Sequence, residues 1–455
     1  MARAGAARGE IQMTEGSLWK NILIFSIPLV FSQLLQVMFN MADVAVVGKF
    51  ASDTALGSVG STSTLVTLFT GFLIGMGNGV NVRVAQHLGA QHREETSRAV
   101  HTAFLLCLLA GVGIMALCLA LAANMLEMLH TKDDLLPGAV LYFRIYALGM
   151  PALGVFNFGN AVLSANGDTK RPLLYLTIAG ILNVILNLFF VIACRMAADG
   201  VALASVISQY VSAILVVWHM MRLNDACKFR FRELRFHGDE VGRILGLGVP
   251  AGIQNMIFAI ANLFIQAAVN SFDSTMVSGN AAAANSDTII YNIMMAFYTA
   301  CSTFMGQNWG AGHKKRMMDS YLISLFYAFA VAAVLGVAFY FAGRPFLYVF
   351  TNSADVVEAG MQRMKIMCFS YAISAFMDNT IAACRGLGRT IVPTVVVIMG
   401  SCVFRVIWVY TIFAHYHTIP SLYLLYAFSW TITAAAEIVY FLHCFRKLRL
   451  VPETV

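Results

Sequence analysis

The sequence predicts an all-α polytopic membrane protein with twelve transmembrane helices in two pseudo-symmetric six-helix bundles. Three observations predict it: an apolar composition, bilayer-length apolar runs spread over the whole chain, and an internal repeat at one fixed offset. Of the 455 residues, 59% are hydrophobic and 12% charged, with a mean hydropathy of +0.74. A soluble domain is about a quarter charged. This composition excludes a soluble enzyme, and no nucleophile, metal or phosphate-loop motif points to catalysis within the membrane.

Crossing a hydrocarbon core of about 30 Å takes roughly 20 helical residues at about 1.5 Å each. Runs that long occupy 19–48, 57–81, 98–125, 139–164, 172–194, 199–222, 243–271, 278–308, 317–343, 364–384, 391–414 and 420–445. The longest polar connection, "RLNDACKFRFRELRFHGDE" at 222–240, is too short to bury a core of its own. The chain thus divides into an N-terminal bundle at 1–222, a basic linker at 223–242 and a C-terminal bundle at 243–455.

The basic residues collect on alternate connections. They are Arg3, Arg8 and Lys20; Arg83, Arg93 and Arg98; Lys170 and Arg171; the linker; Lys314, Lys315 and Arg316; Arg385 and Arg389; and Arg446, Lys447 and Arg449. By the positive-inside rule this places both termini in the cytoplasm. The net charge of +7 is then a topology signal rather than a nucleic-acid footprint. The N-terminal arm lacks the pattern of a cleaved leader. The nine cysteines form no CxxC pair, which argues against a metal cluster or a disulfide framework. Nothing in the sequence demands more than a monomer in the lipid bilayer.

The chain reads twice. "AQHLGAQHRE" (85–94) and "MGQNWGAGHKKR" (305–316) pair Gln86 with Gln307, Gly89 with Gly310 and His92 with His313, each 221 positions apart. "ANGDTKRP" (165–172) and "GLGRTIVP" (386–393) pair Gly167 with Gly388, Thr169 with Thr390 and Pro172 with Pro393 at the same offset. Six crossings per half is an even number, so both halves enter from one side, related by an axis along the membrane normal. Two such bundles leave a cleft that rocking can open to either face. The paired loops read either as gating loops or as helix ends and turns: Gly89-Ala90 and Gly167-Asp168 suit turns, and Pro172 and Pro393 suit a first helical turn.

Asp43, Asp287, Asp378, Arg405 and Glu437 fall inside predicted spans. A charge near the bilayer centre costs at least about 2.5–3.5 kcal/mol, which makes each a functional candidate. Asp43 stands six residues before Lys49, roughly 9 Å from the outer end of the first span. In the fifth span Asn183 and Asn187 share a face, and Asn187 is roughly 12 Å from the same outer end. An acid beside amide oxygens can hold a proton or a small hard cation, Na⁺ included. Alternatively the first helix ends near residue 42 and Asp43 meets interfacial water, while the two asparagines serve as interhelical hydrogen-bonding glue. Asp287, Asp378 and Glu437 form a secondary set of acids, structural or cleft-lining, and Arg405 has one of them as a prospective partner. Pro28 and Pro250 occupy nearly corresponding places in the first and seventh spans, where each removes a backbone donor and should kink its helix or make it bendable. The 24 Met and 12% aromatic residues suit a cleft for varied apolar or cationic organic molecules, or ordinary packing.

These features resemble the multidrug and toxic compound extrusion (MATE) transporters over nearly the whole chain. The resemblance rests on "SIPLVFSQLLQVMFNMADVAVVGKF", the Gln-x-x-Gly-Ala loop in both halves, "SANGDTKRP" and "GVALASVISQY". It implies a MATE-like pair of six-helix bundles in the cytoplasmic (inner) membrane, exporting small amphipathic, often cationic, compounds in exchange for H⁺ or Na⁺, with no cofactor beyond that gradient. Asp43 matches the family's coupling acid and Asn183 the asparagine near it; Tyr142 and Ser205 fall near polar positions of the same site. Two departures count: Asn187 stands where the family often has a second acid, and no carboxylate appears in 241–271, where another branch has a glutamate.

The leading expectation is a cation-coupled antiporter working by alternating access. The alternative is a lipid-linked precursor flippase of the same superfamily, which would need basic residues in its cleft where the intramembrane set here is mostly acidic. A channel or receptor fits the repeat and its buried acid poorly.

Overall fold

The computed structural model describes residues 11–448. The basic residues Arg3, Arg8 and Arg449 lie outside them. All regular structure among the described residues is helical. Eleven of the helices are long and apolar enough to cross a membrane, and one bent pair supplies a twelfth span.

The first repeat contains α1 (Leu18–Phe50), α2 (Asp53–Gly89), α3 (Arg93–Met128), α4 (Leu136–Ala147), α5 (Met150–Ala165), α6 (Lys170–Leu188) and α7 (Ala198–Arg222). The second contains α8 (Gly238–Val269), α9 (Ser274–Gly310), α10 (Lys314–Tyr348), α11 (Ala354–Gly386), α12 (Ile391–Val397), α13 (Phe404–Trp408), α14 (Ala414–Tyr416) and α15 (Ile419–Lys447). Both α1 and α8 run unbroken through Pro28 and Pro250.

The repeat is visible in the helix ends. Ser52 caps α2 by accepting from the Ala55 N–H, and Asp273, 221 positions on, caps α9 by accepting from Met276; each relieves one of the orphan donors of a first turn. His92 and His313 open α3 and α10 with nearly equal φ of −83° and −82°. Gly167 and Gly388 both adopt left-handed backbone, φ +88° and +78°. The turn expected at Gly89-Ala90 is displaced: Gly89 and Gly310 are the last helical residues, and Gln91 and Gly312 take the left-handed position.

The halves differ in their fourth span. The single helix expected over 139–164 is the pair α4 and α5, bent by 44°. Pro151 cannot donate to the carbonyl of Ala147, and its ring crowds that turn, so α4 stops at Ala147. The corresponding residue of the second half is Ala372, and α11 runs uninterrupted through it. The span 391–414 also departs from a plain helix, with π-helical turns at Ile398–Val403 and Val409–Phe413. A π-turn at Phe189–Ala193 follows α6 in the first half.

The described chain packs as two compact units. One comprises Phe31–Met256 with the described residues before Met13, and the other comprises Met13–Val30 with the chain from Ile257 onward. This partition by packing differs from the partition by repeat: the first part of α1 packs with the later helices, and the first part of α8 with the earlier ones.

In the first unit α2 and α8 approach closely through glycines. A Cβ on Gly75 would collide with the backbone of Gly252, and one on Gly79 with that of Gly248. Small residues four apart on both helices are what lets membrane helices gain dispersion contacts and backbone proximity where no hydrophobic effect drives them together. Asn255 reinforces the seam by donating to the Gly71 carbonyl at 2.9 Å. One end is tied by a buried ion cluster: Arg83 donates Nε and Nη2 to Glu240 at 2.8 and 2.7 Å, and His87 Nε2 lies 3.0 Å from the same carboxylate. Phe104, Phe158 and Phe229 anchor the unit's apolar core. The core of the second unit is built on Phe297, Phe304, Tyr321 and Phe441.

Candidate functional site

Three helices of the first unit bring polar groups to one place. α1 continues to Phe50, so Asp43 sits within the helix, half-buried, rather than beyond its end. α6 presents Asn183 and Asn187 one turn apart, both buried, and α7 presents Ser205. Asn187 Nδ2 donates to Asp43 Oδ1 at 2.5 Å and to Asn183 Oδ1 at 3.2 Å. Ser205 Oγ donates to Asp43 Oδ2 at 3.4 Å, and Asn183 Nδ2 donates to Ser205 Oγ at 3.3 Å.

Every direct partner of the Asp43 carboxylate is therefore neutral. The buried Asn187 Oδ1 accepts no hydrogen bond. Carboxylate, amide and hydroxyl oxygens make an oxygen-only donor set, the kind a hard cation takes, and the open amide oxygen leaves acceptor capacity for one. Tyr142 of α4 is buried beside Val46 and Val47 and stacks on Tyr146 at 6.0 Å, without a hydrogen bond to the acid.

The second unit distributes its ionisable groups differently. Asp287 of α9 forms a buried ion pair with Arg363 of α11. The same guanidinium donates to Asn280 Oδ1 at 2.5 Å and to the Tyr423 hydroxyl at 3.5 Å, and lies 5.0 Å from the Tyr423 ring centroid. Arg405 does not take one of the acids as a direct partner. Its Nε donates to Ser429 Oγ at 3.3 Å, and its guanidinium lies 4.5, 5.6 and 5.7 Å from the ring centroids of Tyr426, Trp430 and Phe258. Asp378, half-buried on α11, forms no hydrogen bond or ion pair among the described residues and lies within electrostatic reach of Arg405 and Arg385. Glu437 on α15 is fully buried, with neither carboxylate oxygen hydrogen-bonded.

Sequence reasoning missed Arg363. It cut the tenth span at 364 because apolar runs define spans by composition, whereas α11 begins at Ala354 and carries the arginine well inside the helix. The spacing Arg83, His87 on α2 and the acid Glu240 at the start of α8 were readable individually. Their pairing across 157 positions was not.

Two helical repeats with polar groups buried inside bilayer-length helices define a multi-pass membrane transporter. The chain belongs to the MatE family, whose profile matches it twice, at residues 28–189 and 250–411. The two matches begin at the paired prolines and reproduce, to within one residue, the offset that relates the loop motifs. Among curated proteins the chain is similar to the probable multidrug resistance protein YpnP of Bacillus subtilis, 28% identical over 358 residues that cover 79% of this chain and 80% of that protein. It is also similar to the FAD transporter of Shewanella oneidensis, 24% identical over 346 residues, 74% of this chain and 75% of that one. Among solved structures, an outward-facing multidrug resistance MATE transporter of the MOP superfamily superposes with a TM-score of 0.89 at 20% identity, over 97% of this chain and 99% of the other. A MOP superfamily transporter from Pyrococcus furiosus, described as having a binding pocket of reverse polarity, gives 0.90 at 20% identity over the same shares.

Proposed function

We propose that the protein is an antiporter that exports small amphipathic compounds by alternating access, driven by an inward H⁺ or Na⁺ gradient through Asp43. It would work in the cytoplasmic membrane with both termini in the cytoplasm. The observation that carries the reading is the Asp43 cluster: a carboxylate inside a membrane helix whose hydrogen-bond partners, Asn187 and Ser205, are neutral. A fixed arginine partner would lock the charge in place, as Arg363 does for Asp287. Neutral donors tolerate the site both charged and neutralised, which a coupling site must allow as its proton or Na⁺ comes and goes. Asn187 in place of a second acid favours one cation per cycle. The drug-resistance names of YpnP and the outward-facing structure support an exporter; no relative reported above is named for flipping lipid-linked precursors. The acids Asp43, Asp378 and Glu437, none of which has a direct basic partner among the described residues, favour cationic cargo.

A second reading has its own observation. Arg405 is buried among three aromatic rings with no carboxylate salt bridge among the described residues, a setting that favours an aromatic cargo bearing a negative group, and one relative is named an FAD transporter. Purified protein in liposomes separates the readings. Uptake of a fluorescent organic cation, driven by an imposed H⁺ or Na⁺ gradient and blocked by other cations, supports the first. Gradient-driven transport of FAD that organic cations do not inhibit supports the second. Movement of neither under either gradient refutes both.

A further inference from the structure

The first unit carries an exposed apolar groove of about 460 Å³. It runs between α3, α5 and α7, with Phe231 of the short linker helix Phe231–Glu233 in its lining. Along α7 its wall extends from Tyr210 to Met221, roughly 16 Å at about 1.5 Å per residue. That is close to the depth of one leaflet, half of a hydrocarbon core of about 30 Å. The single hydroxyl in the lining, on Tyr210, is already donated to the Leu148 carbonyl at 3.0 Å. The groove therefore offers a guest dispersion contacts and almost no hydrogen bonding, which suits a hydrocarbon chain better than a polar drug. It is also open, with Ile214 63% and Trp218 46% exposed.

The end of the groove at the close of α7 is different in character. The Arg222 guanidinium stacks 3.7 Å from the Trp218 ring centroid. The linker that follows brings Lys228, Arg230, Arg232 and Arg235. Of these, Arg230 is taken by Glu233 at 2.6 Å, and that contact helps hold the Glu233 carboxyl below its usual range. Arg222, Lys228, Arg232 and Arg235 form no ion pair among the described residues. Phe231 and Phe236 are exposed beside them, as aromatic side chains at a membrane–water interface are. Phe229, between these residues in sequence, is buried against Phe104 at 4.7 Å and Phe231 at 5.0 Å, which ties the charged segment to the groove wall.

We propose that this groove is a binding site for one anionic phospholipid from the leaflet that the linker faces. One acyl chain lies along α7, and the phosphate diester rests on Arg222 and Arg232. The site joins a leaflet-length apolar channel to a cluster of unpaired cations at its head, and a membrane phospholipid with net negative charge matches both.

Native mass spectrometry of the full-length protein tests the assignment. The protein is released from nanodiscs holding equal amounts of phosphatidylglycerol and phosphatidylcholine with identical acyl chains, and the lipids retained are counted. Wild type is expected to retain phosphatidylglycerol preferentially. A basic side chain near an anionic headgroup is worth about a fivefold preference, so Arg222→Gln/Arg232→Gln should lose roughly 25-fold of it while still retaining some lipid. Val217→Trp, which fills the groove with an apolar side chain, should lose both lipids. Equal retention of the two lipids by wild type, or an unchanged phosphatidylglycerol preference in the double arginine variant, overturns the proposal. So does unchanged retention in Val217→Trp. The arginine variant alters exposed side chains only, so its result stands even where the groove variant fails to fold.

Discussion

Asn187 donates its amide N–H to Asp43 across 144 positions of sequence, and its own oxygen accepts nothing in return. The acid on α1 is thus held from α6 by a neutral group that keeps an acceptor free. The site's properties depend on that asymmetry.

If Asn187 positions the carboxylate, Asn187→Ala should weaken coupled transport more than Ser205→Ala does, since the Asn187 contact is 2.5 Å and the Ser205 contact 3.4 Å. A well-formed hydrogen bond to a charged group contributes about 1.5–3 kcal/mol, and the 3.4 Å Ser205 contact, near the distance limit for such a bond, contributes less. Initial rates of gradient-driven uptake, compared at equal protein content, order the two variants. The reverse order would contradict the geometry.

The buried Arg83–Glu240 pair makes a stability prediction that is independent of transport. Removing one partner, as in Glu240→Met, leaves a buried guanidinium without its counter-charge and should cost about 3–5 kcal/mol. Replacing both, as in Arg83→Met/Glu240→Met, should recover most of that loss. Thermal unfolding in detergent, run as a double-mutant cycle, reads the coupling directly; additive single effects would show that the pair contributes nothing.

The α2–α8 seam depends on the missing side chains of its glycines. Gly79→Leu forces the helices apart at Gly248 and should lower the unfolding temperature markedly. Gly113→Ala on α3, where a Cβ meets nothing within 4 Å, should be neutral or stabilising by up to about 1 kcal/mol. Equal effects at the two sites would mean that close backbone approach is not what holds the seam.

Asp287 and Asp378 should separate by kind. Asp287→Asn strips Arg363 of its ion-pair partner and should destabilise the protein by about 3–5 kcal/mol. Asp378→Asn breaks no hydrogen bond or ion pair, so its unfolding temperature should stay near that of wild type. Any loss of transport in that variant then reports function rather than folding. A large stability loss in Asp378→Asn would count against this division.

Much of the architecture was legible because its causes are local. Apolar runs mark spans, and the duplicated Gln-x-x-Gly-Ala and Gly-x-Thr loops mark the repeat, since a helix end needs the same caps and left-handed residues wherever it recurs. The shared depth of Asp43 and Asn187 could be counted from the ends of their helices. The bend between α4 and α5 was missed although Pro151 is plain in the sequence, because hydropathy is blind to the backbone bond a proline deletes. The choice of Arg363 over Arg405 as the partner of Asp287 depends on which faces of α9 and α11 meet, and periodicity is weak in helices that are apolar on every side. The exchange of the first parts of α1 and α8 between the packing units leaves no local mark at all.

The central claim is that Asp43 couples the gradient to cargo movement. Its most direct test compares wild type with Asp43→Asn, both shown to be folded by their unfolding temperatures, in liposomes under an imposed H⁺ or Na⁺ gradient. The account predicts that one gradient drives accumulation of a fluorescent organic cation by wild type and that Asp43→Asn, whose amide cannot carry the charge, loses that dependence. Gradient-driven transport by the folded variant equal to that of wild type would contradict it.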